Sequence, residues 1–465
     1  MSLPAGFRVR LAPDVVSADQ GRLLVGGSPV TGVRLSPRAR RMLGPGGVTV
    51  TDRGTGLLAE RLLATNLGLP ELEGLPAAEP ASVTVVIPVR DRARQLDRAL
   101  AAVAPLRCLV VDDASYDATA VAEVVRHHGA ELLSLPQNAG PAGARNAGLA
   151  TVTTPYVAFV DSDVEVTATD LLRLTRHFAD PAVCLVGPRV VGASRSPRPR
   201  WFERYDAVAS SLTLGRRPCT VGPGAAVGWL PSACLVGRTE ALAGGFDAGM
   251  RVGEDVDLVW RLVRAGHRVR FDPDVEARHE TRPTVRAWLG RKAFYGYGGA
   301  GLAARHGNLL APAVLTPAYG AAAAALLLRK RWSLPAAAGA LAVGAWTVRR
   351  ALPETPDRGV VAARLAARGL GWALRQESAL LVRHWWPAAA LGAAVHPGLR
   401  RALATALVVD SAVGLAEHRH PADPLNPLVL LTGRRLDDLA YGAGLWWGAV
   451  RARSARVLLP RRPRR

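Results

Sequence analysis

Between residues 82 and 160, short apolar runs at 83–89, 108–111, 131–135 and 157–160 alternate with helical stretches at about 92–104, 118–127 and 142–150. Runs that are apolar at nearly every position, rather than at every second one, belong to strands buried on both faces. That is the condition of a parallel sheet covered by its crossover helices. The expected fold class is therefore α/β, with a nucleotide-binding sheet. In such a sheet ligands lie outside the carboxyl ends of the strands. Two strands here end in carboxylates, Asp112-Asp113 and Asp161-Ser162-Asp163, which reads as a site for a nucleoside diphosphate and a metal.

Composition narrows the partners. The formal charge of +21 over 465 residues suits an anionic surface or substrate. The cations are nearly all arginine, Lys292 and Lys330 being the only lysines, and no arginine-aromatic stripe or zinc spacing accompanies them. Nucleic acid is not expected as a partner. Cys108, Cys184, Cys219 and Cys234 lack Cys-x-x-Cys spacing, so neither a disulfide framework nor a zinc site is indicated. The first residues lack an apolar signal core, which points to a cytosolic start.

Three regions follow from the pattern. Residues 1–78 read as a small α+β unit, with strands near 7–10 and 22–27 and helices near 37–43 and 57–67, ending in a proline- and acid-rich linker at 70–80. Residues 82–300 hold the α/β domain. Residues 301–465 are helical, rich in alanine, leucine and arginine. There, 307–328 is uncharged and just long enough to cross a bilayer, and 332–348 is a second, shorter uncharged run. A two-span hairpin would put Arg329-Lys330-Arg331 outside, against the positive-inside tendency. A re-entrant or surface-lying hairpin avoids this, with Trp332, Trp346, Trp385, Trp386, Trp446 and Trp447 suited to an interface. A soluble bundle packed on the enzyme is the other reading.

Four elements carry chemistry. The strand at 83–89 runs through Pro88 into Arg90 and Asp91 at the crevice. The second element ends in Asp112-Asp113, whose mutual repulsion calls for a donor-rich ligand or cations, with Ser115 or Asp117 capping the next helix. The third, Asn138 to Gly148, combines glycines that admit an anion to a helix start with the fixed charge of Arg145. In the fourth, Asp161 and Asp163 lie on one side of an extended segment, where they can reach a ribose hydroxyl and a divalent cation bridging phosphates. Further on, Gly253-Glu254-Asp255-Val256-Asp257 opens a helix, and a lone His279 follows a strand at 269–271 and a turn at 272–274.

In this order and spacing the elements resemble the inverting family 2 glycosyltransferases with a GT-A fold, across about 82–300. The resemblance implies a Rossmann-like, mostly parallel core flanked by the small N-terminal and the helical C-terminal regions. It implies nucleoside contacts from Pro88, Arg90, Asp91 and Asp113, a donor contact from Arg145, ribose contact by Asp161, and Mg2+ or Mn2+ held by Asp163, with His279 as a metal or diphosphate contact. Asp255 would be the general base that takes the proton of the attacking acceptor hydroxyl. The Gln-x-x-Arg-Trp motif of processive synthases is absent, which argues against long polymer synthesis.

The acceptor is less constrained. Over its whole length the chain is similar to actinobacterial glycosyltransferases acting on premycofactocin, a peptide-derived redox cofactor precursor. This implies glucose transfer from UDP-glucose through β-1,4 linkages, with the N-terminal unit resembling small peptide-recognition domains that add a peptide to a sheet edge. The alternatives are a lipid or cell-envelope glycan acceptor, a sugar nucleotidyltransferase, or a non-catalytic scaffold. A nucleotidyltransferase would carry a basic glycine-rich loop after the first strand, where this chain has Pro88-Val89-Arg90-Asp91.

Overall fold

The computed structural model describes residues 2–352, 354, 358–418 and 425–463. Contacts divide it into two units, residues 1–195 with 210–280, and residues 196–209 with 281–465.

In the first unit the N-terminal segment forms two three-stranded sheets. Arg8–Leu11 lies between Val48–Thr49 and Gly68–Pro70, and Leu23–Gly26 between Val16–Ala18 and Thr31–Arg34. Their common core holds Phe7, Val9, Leu24, Leu62, Leu63 and Leu67. The helix Arg53–Ala64 starts with a capping box in which Asp52 and Thr55 satisfy each other's backbone N–H. Asn66 exchanges two hydrogen bonds with the backbone of Thr220, tying this segment to the larger sheet.

That sheet contains β1 (Val83–Val89), β2 (Arg107–Asp112), β3 (Glu131–Ser134), β4 (Tyr156–Val160), β5 (Val164–Glu165), β6 (Val183–Ala193), β7 (Cys219–Val221), β8 (Cys234–Arg238) and β9 (Arg268–Glu280). Its order is β3-β2-β1-β4-β8-β6-β9-β5, with β7 also paired to β9. The β3-β2-β1-β4 half is parallel, and β8, antiparallel to both β4 and β6, makes the other half mixed. Strand order reverses between β1 and β4, which is where a crevice opens at the carboxyl ends.

Local sequence explains the covering helices. α1 (Ala93–Val103) buries Leu96, Ala99, Leu100 and Val103, one face of a 3.6-residue period. α2 (Ala118–His127) is capped by Asp117, whose side chain accepts from Ala120 N at 3.0 Å. α3 (Gly140–Leu149) lies so close to β1 that a methyl on Gly148 would meet Val86 Cγ1 at 2.5 Å. α4 (Glu254–Arg264) follows Gly253, at φ +85°, and carries three acids in its first turn, where the helix dipole favours them. All four cysteines are buried and free.

The second unit is helical: Trp201–Ala209, Val285–His306, Pro317–Leu328, Ser333–Ala351, Arg358–Ala379, Trp386–Val395, Pro397–Glu417 and Pro427–Arg451. Val285–His306 runs unbroken through the position near 300 where composition changes. Against Pro427–Arg451 it packs backbone to backbone, since a methyl on Gly444 would meet Ala293 O at 1.9 Å. Buried Lys292 and half-buried Arg383, Arg434 and Arg435 are matched by buried Asp206, Asp410, Asp437 and Asp438. The uncharged stretch 307–328 is not one long helix: a 3-10 turn at Gly307–Leu310 and an irregular link leave only Pro317–Leu328 helical, about 18 Å long against a bilayer core of about 30 Å. Among the described residues no helix is long and apolar enough to cross a membrane. Trp385, Trp386 and Trp446 donate their indole N–H to backbone carbonyls within the unit, whereas Trp332, Trp346 and Trp447 are exposed.

Candidate active site

Register brings the candidate residues to one level. Val89 lies opposite Asp112, and Phe159 opposite Val86, so the turns after β1, β2 and β4 emerge together. After β1, Asp91 adopts a left-handed backbone, φ +55°, stabilised from β2's turn: Tyr116 N donates to Asp91 Oδ1 at 2.6 Å, and Asp91 N to Ser115 Oγ at 2.9 Å. The Arg90 guanidinium lies over the exposed Tyr116 ring, 5.3 Å from its centroid. Pro88 is the penultimate residue of β1.

The acidic pair is accommodated by the protein itself. Asp112 accepts from Ser115 N at 3.1 Å and Ser115 Oγ at 2.5 Å. Asp113 accepts from Ala139 N at 2.6 Å and Gly140 N at 3.0 Å. The expected donor-rich ligand is thus not required to relieve their repulsion: a hydroxyl and three backbone N–H groups do so. The anion at the start of α3 is the Asp113 carboxylate.

Asp161, Ser162 and Asp163 form a turn, not the extended segment expected, because Val164 N donates back to Asp161 O at 2.9 Å. The two carboxylates consequently take different partners. Asp161 accepts from Arg145. Asp163 accepts from Arg92 and stands 3.6 Å from His279 Nε2. His279 reaches it because β9 is one long strand with a register shift near Asp272, where the sequence suggested a strand followed by a turn. Arg98, from α1, bonds Glu165 and Glu280 on either side of this pair.

Arg145, only 2 % exposed, is the centre of the constellation. One end of its guanidinium bonds Asp161, and the other lies 3.3 Å from Glu254 Oε1. The aromatic ring of Phe246 packs beneath it, 5.4 Å from the guanidinium carbon. The same helix carries Asn146, which donates to Phe246 O at 2.8 Å and accepts from Phe246 N at 2.7 Å, fixing the Gly244-Gly245-Phe246-Asp247 segment. Arg261 secures that segment from α4, bonding Gly245 O and Asp257.

Asp255 sits in the first turn of α4, half-buried. Ser232 N donates to its Oδ2 at 3.3 Å and Val256 N to its Oδ1 at 2.8 Å, so the carboxylate is oriented from two sides. Burial, then the negative charge of Glu254, pushes its pKa up to about 7, while the two N–H groups and Arg145 pull the other way. A carboxylate poised there is matched to proton abstraction near neutral pH.

The donor set bears on a metal. Among the described residues no three His, Cys, Asp or Glu side chains surround one point. Asp163 and His279 supply one carboxylate and one imidazole, which fits a divalent cation that keeps most of its coordination for phosphate oxygen and water. Sequence reasoning missed Arg92, and it took Ser115, which bonds Asp91 N and Asp112, only as a helix cap. Arg92 directly follows Asp91, but only the closure of β1 on β4 shows that it reaches Asp163.

The sequence matches known families and proteins. Residues 84–227 match the model of glycosyl transferase family 2, and residues 156–395 that of glycosyl transferase family group 2. The pre-mycofactocin glycosyltransferases of two Mycobacterium tuberculosis strains are each 41% identical over 470 residues, covering 98% of both chains. An uncharacterized glycosyltransferase of Mycobacterium bovis is 34% identical over 40% of this chain and 82% of its own. Among solved structures, a Pyrobaculum calidifontis mannosyltransferase in complex with GDP-Man and Mn2+ is 18% identical with a TM-score of 0.42, covering 81% of this chain and 92% of that one. The chain belongs to the family 2 glycosyltransferases and is similar along its full length to the pre-mycofactocin glycosyltransferases.

Proposed function

We propose that the enzyme transfers glucose from UDP-glucose to premycofactocin, with inversion, building a short β-1,4-linked glucan. One observation carries the reaction class: a continuous ionic chain runs from Asp161 through Arg145 to Glu254, beside the raised carboxyl of Asp255. The full-length likeness to the pre-mycofactocin glycosyltransferases supports the acceptor.

In this reading the turns bearing Pro88, Arg90, Asp91 and Asp113 bind the nucleoside, and Asp161 the ribose. Arg145 holds the Asp161 and Glu254 carboxylates in place. Asp163 and His279 would hold Mg2+ or Mn2+, which when bound offsets the charge building on the departing diphosphate. Asp255, oriented by the N–H groups of Ser232 and Val256, takes the proton from the acceptor hydroxyl as it attacks the anomeric carbon from the opposite face. The edge strands of the N-terminal sheets, each paired on one side only, offer the peptide-derived part of the acceptor a place to add. The catalytic domain works in the cytoplasm, at the inner face of the cell membrane.

The test is incubation of the purified protein with a panel of UDP-sugars and a small-molecule extract from a host lacking the enzyme, read by mass. Hexose added from UDP-glucose onto a peptide-derived compound is expected. Addition only to lipid, or from none of the donors, would overturn the acceptor or the donor respectively.

A further inference from the structure

The helix Ser333–Ala351 presents an apolar face to solvent. Its inner side is fixed, for Ala337 clusters with Ala322 and Leu370 of the two neighbouring helices. Packing is close, since a methyl on Gly344 would meet the Tyr319 hydroxyl at 2.0 Å. On the outer side Leu334, Ala338, Ala342 and Trp346 recur every fourth residue and all are exposed. Leu334 is 76% exposed, Val343 60% and Trp346 55%, with Trp332 at 52% just before the helix. No charged residue lies between Arg331 and Arg349. A helix packed on a water-soluble surface puts its charges on this side, and an apolar row there marks an interaction face.

Charge identifies the occupant. Residues 281–353 contain no Asp or Glu and ten Lys or Arg. Arg329, Lys330 and Arg331 stand exposed at one end of the helix, Arg349 and Arg350 at the other, and Arg350 lies over the Trp346 ring at 4.0 Å. An acidic protein would answer the cations but not the uncharged row between them. Anionic headgroups above an acyl layer answer both.

We propose that Ser333–Ala351 lies in the plane of an anionic bilayer surface, with Leu334, Val343 and Trp346 at the acyl boundary and the two arginine clusters on headgroup phosphates. This rests on the membrane placement made above and not on the transfer reaction. The test is sedimentation of the full chain with vesicles of phosphatidylcholine alone or with one-third phosphatidylglycerol, at low and high salt. Binding at least tenfold tighter to the mixed vesicles, weakened by salt, is expected. A Leu334→Ser/Val343→Ser/Trp346→Ser variant should bind them at least tenfold more weakly with an unchanged melting temperature, and Arg349→Gln/Arg350→Gln should lose the preference for anionic lipid. A triple variant that binds like the parent overturns the assignment to this helix while leaving the membrane placement standing. A parent chain that binds neither vesicle overturns both.

Discussion

Arg145 Nη1 lies 3.3 Å from Glu254 Oε1 while the other end of the guanidinium bonds Asp161, so a single buried cation joins the turn after β4 to the residue preceding Asp255. Arg145→Gln would leave two carboxylates without their counter-charge. Breaking a buried pair in this way costs about 3–5 kcal/mol. The same change removes a group that lowers the Asp255 pKa. With Asp255 as the proposed base, transfer should rise with pH through about 7 in the parent, and the variant's acidic limb should move to higher pH. A pH profile of kcat/KM checks this, and an unmoved limb would show that Arg145 does not act on the base.

Asp163 accepts from Arg92 and faces His279. A guanidinium on that carboxylate competes with a metal ion for it. Arg92→Gln should therefore tighten Mn2+ binding in the absence of nucleotide, by roughly three- to tenfold, about 1 kcal/mol. Asp163→Ala should weaken UDP binding only when Mn2+ or Mg2+ is present. Calorimetry with and without chelator reads both, and equal losses of UDP affinity under the two conditions would remove Asp163 from the metal site.

Asn146 holds Phe246 through both backbone groups. Asn146→Ala leaves a buried N–H and C=O unmet, at about 1–3 kcal/mol. Faster amide exchange across 244–255 and a lower melting temperature are expected. Gly245→Ala should act in the same direction, because Gly245 has φ +57° and a methyl there would stand 2.6 Å from Asn146 Oδ1.

Much of the site was legible because strand ends are written in local sequence. Continuous apolar runs located β1, β2 and β4, and the acids following them marked the crevice. Where side chains go across the crevice was not legible. Nothing near Asp113 in sequence announces that its acceptors are filled by Ala139 N and Gly140 N, or near Asp163 that Arg92 occupies it. The first contact depends on α3 packing against β2 and the second on β1 pairing with β4, both tertiary events. The C-terminal region misled for a related reason: hydropathy registers that 307–328 is uncharged, but not that residues 311–316 leave the helix.

Asp255 also predicts a stability signature. Its folded pKa lies above the ordinary carboxylate value of 3.8, so the folded state keeps its proton between about pH 4 and 7 while the unfolded chain loses it. The group's contribution to stability therefore falls as pH rises through that window. Asp255→Asn should raise the melting temperature, with a gain that grows from pH 4 to 7 and then levels. A gain independent of pH would contradict the raised pKa.

The most direct measurement pairs hexose transfer with UDP affinity in Asp255→Asn. Transfer is expected to fall at least a hundredfold, the span of general-base catalysis, with UDP binding in the presence of Mn2+ unchanged within about twofold. Transfer within tenfold of the parent, or a parallel collapse of UDP affinity, would contradict Asp255 as the base.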